Sequence, residues 1–207
     1  MAFKISNRIL REYILSTGHT VTTGTVRLIG IRGAVPYSND ELSLRENTLD
    51  HWNDTVGIWG GEWQLQTATV EPGLYYTQNP LNAKGAAHLL RLENGGRPWT
   101  FKWGQHLSKY EALIQAEDFV VQRDKNKNGV IDPTEPKDTG DFGIHIHWGG
   151  EGWSVGKWSA GCQVIQGGGQ TDSPWREFKK ALKSTGQDEF VYYLIDGHAL
   201  AKYLKLL

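Results

Sequence analysis

Trp63-Gln-Leu-Gln-Thr-Ala-Thr-Val70-Glu-Pro-Gly73-Leu-Tyr-Tyr76 alternates bulky apolar residues with polar ones, then breaks at Glu71-Pro72-Gly73. A period of two is the pattern of a strand with one buried face, and Pro-Gly punctuates it as a turn. The stretch reads as two paired strands, with Leu74-Tyr75-Tyr76 extended. Outward from it, Thr25 to Ile31 reads as a strand and the polar stretch with Pro36, Asn39 and Asp40 as a loop. Ala86 to Leu92 and Trp99 to Trp103 are short strands separated by the turn signal Asn94-Gly-Gly-Arg-Pro98, and Glu189 to Ile195 is extended. The expected class is mainly β with a few helices (α+β).

The helices are sparse. Ser6 caps one whose apolar positions Ile9, Leu10, Tyr13 and Ile14 share a face, with Gly18 as its stop. Ser173-Pro174 opens a second, with Trp175, Phe178, Ala181 and Leu182 on one side. Residues 41–55 are read as helical, and Ala199 to Leu207 as a terminal helix. No linker, repeat or low-complexity stretch divides the 207 residues, so a single domain over 1–207 is expected.

Net charge is −1 and the basic residues are scattered, which gives no electrostatic footprint for nucleic acid. No stretch reaches the ~18 apolar residues that mark a membrane span. Met1-Ala-Phe-Lys-Ile-Ser-Asn-Arg8 carries no apolar signal core. The chain is expected to be synthesised in the cytoplasm without a signal peptide, so an extracellular substrate would require lysis or a secretion machine. Nine tryptophans and 25 glycines suit either an aromatic β core or a groove for sugars and peptides.

Chemistry concentrates in Asp141-Phe-Gly-Ile-His145-Ile-His147 and in Ser159-Ala-Gly161-Cys162. In an extended chain Phe142, Ile144 and Ile146 point one way and Gly143, His145 and His147 the other, so both imidazoles lie on one rigid face. Cys162 is the chain's one cysteine, so it has no internal disulfide partner and any role beyond packing is that of a thiol. A thiol becomes a nucleophile when an imidazole takes its proton, and His147 is the candidate base, with His145 able to orient it or replace it. Small residues at 159–161 let the backbone approach a carbonyl, and the N–H groups of Gly161 and Cys162 are candidate oxyanion donors. Trp148, Trp158 and Gln163 flank these groups and are candidate substrate contacts.

Asp124-Lys-Asn126-Lys-Asn128-Gly129-Val130-Ile131-Asp132-Pro-Thr-Glu135 fits a twelve-position calcium loop. Oxygen side chains stand at positions 1, 3, 5, 9 and 12, glycine at 6, and the Val130 carbonyl at 7. Hard cations take six to eight oxygens, and these spacings can gather them. Asp124, Asn126, Asn128, Val130, Asp132 and Glu135 are the expected ligands of a structural calcium. Flanking helices are not expected, because β-branched residues precede the loop and Pro133 and Pro136 follow its start.

Ile146-His147-Trp-Gly-Gly-Glu-Gly-Trp-Ser-Val-Gly-Lys-Trp-Ser159-Ala-Gly161-Cys162 resembles the active-site segment of the L,D-transpeptidase (YkuD-like) family, and Thr69-Val-Glu-Pro72-Gly73-Leu-Tyr75 resembles its upstream Thr-Pro-x-Gly-x-Phe segment. The resemblance implies a β-rich catalytic fold and cysteine acyl-enzyme chemistry on peptidoglycan stem peptides. Cys162 would be the nucleophile and His147 the base, with Ser159 and Gly161 shaping the nucleophile turn and no cofactor in catalysis. Three departures from the pattern stand out: Ala160 stands for histidine, Trp148 for glycine, and the pair Gln163-Val164 for an apolar residue followed by arginine or asparagine. Loss of that arginine removes a carboxylate anchor and leaves transfer and hydrolysis both open.

Three functions compete. The first is a cysteine-dependent enzyme on peptidoglycan stems, a delivered cell-wall hydrolase of phage-lysin or effector type or an L,D-transpeptidase. The second is a zinc hydrolase using His145 and His147, with His106 or Cys162 as third ligand. The third is a non-catalytic cell-wall-binding or virion structural module.

Overall fold

The computed structural model describes residues 1–130, 132–168 and 173–207. In chain order the elements are β1 (Ala2–Lys4), α1 (Asn7–Ser16), β2 (Arg27–Arg32), β3 (Ala34–Ser38), β4 (Glu41–Leu44), β5 (Asp54–Trp59), β6 (Gln64–Thr69) and α2 (Leu74–Gln78). They continue with β7 (Ala86–Leu89), a 3-10 turn (Leu92–Asn94), β8 (Trp99–His106), β9 (Tyr110–Gln115), β10 (Phe119–Asp124) and β11 (Lys137–Gly140). The last are β12 (Ile146–Trp148), β13 (Gln163–Ile165), α3 (Pro174–Lys183), β14 (Glu189–Asp196) and α4 (Gly197–Tyr203). The chain is mostly β, with helices at its flanks, as its sequence pattern indicates.

Eight strands close a barrel in the order β12-β13-β6-β5-β2-β14-β8-β9, and the small sheets β1-β4-β3 and β11-β10-β7 lie beside it. Closure is made where Ile146 of β12 pairs with Leu113 of β9. Alternation explains how β2 and β14 bury both faces. Leu28, Tyr192 and Leu194 enter the barrel core, while Ile29, Ile31, Tyr193 and Ile195 meet α1 and α4 in a second core. The barrel centre is aromatic: Phe101 packs on Phe119 at 5.1 Å and on Tyr192 at 5.3 Å between ring centroids. Among the described residues no helix is long and apolar enough to cross a membrane.

Four local expectations are corrected. Residues 41–55 form β4 and the start of β5, with irregular chain between, because Glu41–Leu44 pairs on both sides with β1 and β3. Residues 74–76 are not extended but begin α2, whose first free N–H, on Leu74, donates to Asp50 Oδ1 at 2.9 Å. That acceptor comes from a distant loop, so local pattern does not reveal it. Pro36 lies in β3 rather than a loop, tolerated at a sheet edge beside a register shift between Pro36 and Ser38. Strand structure in 141–147 is confined to the end of that segment. Upstream, the Gln115 side chain substitutes for a neighbouring strand, its Oε1 accepting the N–H groups of Phe142 (3.1 Å) and Ile144 (3.3 Å).

A buried ionic cluster fixes the end of β6. Glu71 pairs with Arg32, lies 3.5 Å from His88 and accepts Asn47 Nδ2 at 2.8 Å. Nearby Asp54 accepts the N–H groups of Gly33 and Val70, both at 2.8 Å. Burial opposes ionisation of both carboxyls. The Arg32 guanidinium and His88 nonetheless hold Glu71 down at about 2, whereas burial and the Glu71 charge push Asp54 up to about 7. A raised carboxyl stabilises the fold fully below its unfolded value of 3.8 and loses that contribution as pH rises through about 7. The depressed Glu71 contributes above its unfolded value of 4.5 and loses it as pH falls toward about 2. Thermal melts across pH are therefore expected to give greatest stability in mildly acidic buffer. Asp54→Asn should flatten the decline toward neutrality, at a cost of about 1 kcal/mol for the bond to Val70 N–H.

Candidate active site

β12 and β13 are parallel neighbours with His147 opposite Val164, so the base candidate and the turn before β13 are held by one ladder. Cys162 ends that turn. Ser159 is fully buried and makes the turn's internal bonds: its Oγ donates to the Cys162 carbonyl at 2.8 Å and accepts the Gly161 N–H at 3.2 Å. Gly161 has a φ of +133°, and a Cβ there would lie 2.7 Å from the Ala87 carbonyl oxygen on β7. Both conditions require glycine. Its N–H is committed to Ser159, so Gly161 is not free as the expected oxyanion donor, which leaves the Cys162 amide as the remaining candidate.

Cys162 is 7% exposed and lines a cleft of about 480 Å³ together with His106, Phe142, His145, Trp158 and Gly161. The His145 backbone N–H donates to Sγ at 3.4 Å, and the thiol faces the Gly143 carbonyl at 3.6 Å. His147 is 1% exposed, with Nδ1 2.6 Å from the Trp148 carbonyl and 3.3 Å from the Tyr110 hydroxyl. A carbonyl can only accept, so Nδ1 carries the proton and Nε2 carries the lone pair. Nε2 is buried and meets no hydrogen-bond partner among the described residues. Cys162 Sγ and a ring nitrogen of His147 lie within 4.8 Å, with a ring nitrogen of His106 completing the group.

His145 lies differently. Its Nδ1 is 2.8 Å from Nδ1 of His106, whose ring packs on that of His147 at 4.2 Å. Burial, and then the mutual proximity of the rings, lowers His147 to about 3 and His145 to about 4. Burial also raises the Cys162 thiol to about 11, against a smaller lowering by the His145 N–H. Both shifts favour a neutral thiol beside a neutral imidazole over an ion pair.

The flanking candidates separate. Trp158 lines the cleft and is 40% exposed. Trp148 faces a different cleft, of about 730 Å³, between Tyr110 and α3, and reaches the first only through its 5.2 Å packing on Trp158. Gln163, expected at the substrate, is fully buried: its Nε2 donates to the Gly161 carbonyl at 3.1 Å and its Oε1 accepts the Tyr192 hydroxyl at 2.7 Å. Gly30 makes room for that phenol, since a Cβ would sit 1.8 Å from it. Gln163 thus braces the 159–162 turn from inside the barrel.

Sequence reasoning missed Tyr110, Arg123 and Lys157. Arg123 lines the cleft but is engaged by Asp138 at 3.0 Å and stacked on Phe142. Lys157 is exposed at the cleft over the Tyr75 ring, 4.1 Å from its centroid. Lys157 was in view within the quoted segment, whereas Arg123 arrives from a strand whose pairing no local pattern gives.

The calcium-type loop joins two strands, β10 and β11, and no helix flanks it, as its sequence indicates. Asp124 accepts the N–H groups of Asn128 (3.1 Å) and Gly129 (2.7 Å), and Glu135 Oε1 accepts those of Lys125 (2.8 Å) and Asn126 (3.3 Å). Asn126, Asn128 and Asp132 each cap a backbone N–H two residues on, and Val130 is exposed. Ile131 lies outside the described residues. Among the described residues the His/Cys/Asp/Glu group whose ligand atoms converge is His106, His147 and Cys162, not the acids of this loop.

Compared with known proteins, the chain matches no family model, no curated protein and no solved structure.

Proposed function

We propose that this protein is a cysteine-dependent acyl-transfer enzyme on the peptide stems of bacterial peptidoglycan, with an L,D-transpeptidase-like catalytic fold. The observation that carries the reading is the pairing of Cys162, which lines a cleft, with a buried His147 whose Nδ1–H is fixed by a backbone carbonyl and whose Nε2 is unpartnered among the described residues. The two stretches behind the family resemblance also meet in space: the Gly73 N–H donates to the Ser159 carbonyl at 2.9 Å, and β13 pairs with β6.

In this reading sulfur attacks a stem-peptide carbonyl while its proton passes to His147 Nε2, and the Cys162 N–H receives the developing oxyanion. The protonated imidazole then gives its proton to the departing amine, leaving a thioester on Cys162. Water releases it by hydrolysis, and an acceptor amine releases it by transfer. Lys157 supplies a cation for a stem carboxylate, in place of the missing family arginine. The chain acts on the wall after delivery or lysis, as a lysin or effector does.

A neutral resting pair gives a wide pH profile. The base works once His147 is unprotonated, above about 3, and the thiol keeps its proton up to about 11. The expected kcat/KM on a purified muropeptide is flat through neutrality. An alkaline fall near the ordinary imidazole range would instead indicate a thiolate–imidazolium pair. Slow alkylation of Cys162 by iodoacetamide at neutral pH is expected of a thiol held this way, so product analysis by mass spectrometry is the test that separates an enzyme from a wall-binding module.

Calcium enters the proposal as a structural ligand of residues 124–135. Added calcium is expected to raise the melting temperature by mass action, and Asp124→Ala to remove that response. An unchanged melt in millimolar calcium would dismiss it.

A further inference from the structure

His106 and Cys162, which line the cleft, belong to a second constellation. His106 from the end of β8, His147 from β12 and Cys162 from the turn before β13 place two ring nitrogens and one sulfur within 4.8 Å of one another. In both histidines the Nδ1 is already held, by the Trp148 carbonyl at 2.6 Å for His147 and by His145 Nδ1 at 2.8 Å for His106. Metal-binding histidines are oriented in this way, through a hydrogen bond on the nitrogen that does not ligate. An independent observation points to a ligand: His147 is 1% exposed and its remaining nitrogen, Nε2, is buried without a partner. A buried acceptor left unpaired is costly, and a metal ion held between His147, His106 and Cys162 would relieve it.

We propose that His106, His147 and Cys162 form a zinc site, and that zinc bound there switches off the cysteine chemistry. The proposal rests on Cys162 being the nucleophile. One thiolate and two imidazoles are a donor set that zinc favours over the hard cations, with a fourth position left for water. Around tetrahedral zinc such donors stand about 3.5 Å apart, so the three need to close by about an ångström. On binding, the Cys162 S–H bond breaks, a zinc–sulfur bond forms and the proton passes to solvent. No electron is transferred, and both imidazoles ligate as neutral groups. The metal then occupies the sulfur that attacks and the Nε2 that accepts its proton. His145 is the outer partner that orients His106.

The test is to titrate the purified, metal-free chain with cobalt as a spectroscopic probe and then displace it with zinc. The expected result is a thiolate-to-cobalt charge-transfer band in the near ultraviolet, absent in Cys162→Ser. His145→Ala should weaken zinc by roughly 10–100-fold, and His106→Ala by more than about 100-fold. Muropeptide turnover by the wild type should fall in step with zinc occupancy and return with a zinc-selective chelator. Absence of the band, zinc affinity indifferent to His106→Ala, or turnover unchanged or raised by zinc would overturn the proposal. The spectra do not depend on turnover. Bands without any turnover would sink the enzyme reading alone, and turnover without bands would sink the zinc site alone.

Discussion

Cys162→Ala is expected to reduce release or exchange of stem-peptide products by at least about 10⁴-fold, the scale seen when an enzyme loses its nucleophile. The substitution should leave the fold intact, because the thiol contributes only weak contacts, a 3.4 Å approach from the His145 N–H and a 3.6 Å approach to the Gly143 carbonyl. A melt matching the wild type alongside lost turnover would separate chemistry from stability. His147→Ala should approach the same loss, since among the described residues His147 is the buried imidazole in the Cys162 group that keeps a ring nitrogen without a partner. His145→Ala should cost less, because its ring acts through His106. Full loss in His145→Ala with none in His147→Ala would reverse the assignment of the base.

Glu71→Ala is expected to be the most damaging change outside the cleft. It removes the partner of Arg32, whose side chain is 8% exposed, and an uncompensated buried charge costs about 3–5 kcal/mol. That is a large share of the ~5–15 kcal/mol that holds a typical domain together. Asp54 recovers part of the loss. Freed from the Glu71 charge that helps to raise it, Asp54 ionises more readily and faces the same guanidinium. Denaturant melts should therefore show a loss toward the lower end of that range, together with a weaker fall in stability as pH rises toward neutrality. A variant as stable as the wild type at every pH would refute this account of the cluster.

Elements were legible where one physical signal decided them. Ser173-Pro174 at a helix start and alternation through Trp63–Val70 needed no distant partner, and α3 and β6 form there. Elements completed by remote groups were not legible. Leu74–Gln78 is helical through Asp50, and residues 141–145 are held by the Gln115 side chain without regular strand. The site divides in the same way. Glycine at 161 and serine at 159 were readable as a tight turn, and the structure supplies the clash and the hydrogen bonds that demand them. Gln163 was misplaced because a polar residue beside a nucleophile reads as a substrate contact, and only Tyr192, 29 positions away, shows that it is buried and satisfied. His106 could be named in sequence as a metal ligand, but its stacking on His147 depends on closure of the barrel between β12 and β9.

The most direct test of the central claim is intact-protein mass spectrometry after brief mixing with purified muropeptides. The wild type should gain the mass of an acyl group from the stem peptide. That adduct should map to Cys162, be cleaved by hydroxylamine as a thioester, and be absent from Cys162→Ala. Product formation by Cys162→Ala at the wild-type rate, or an adduct on any other residue, would contradict the account.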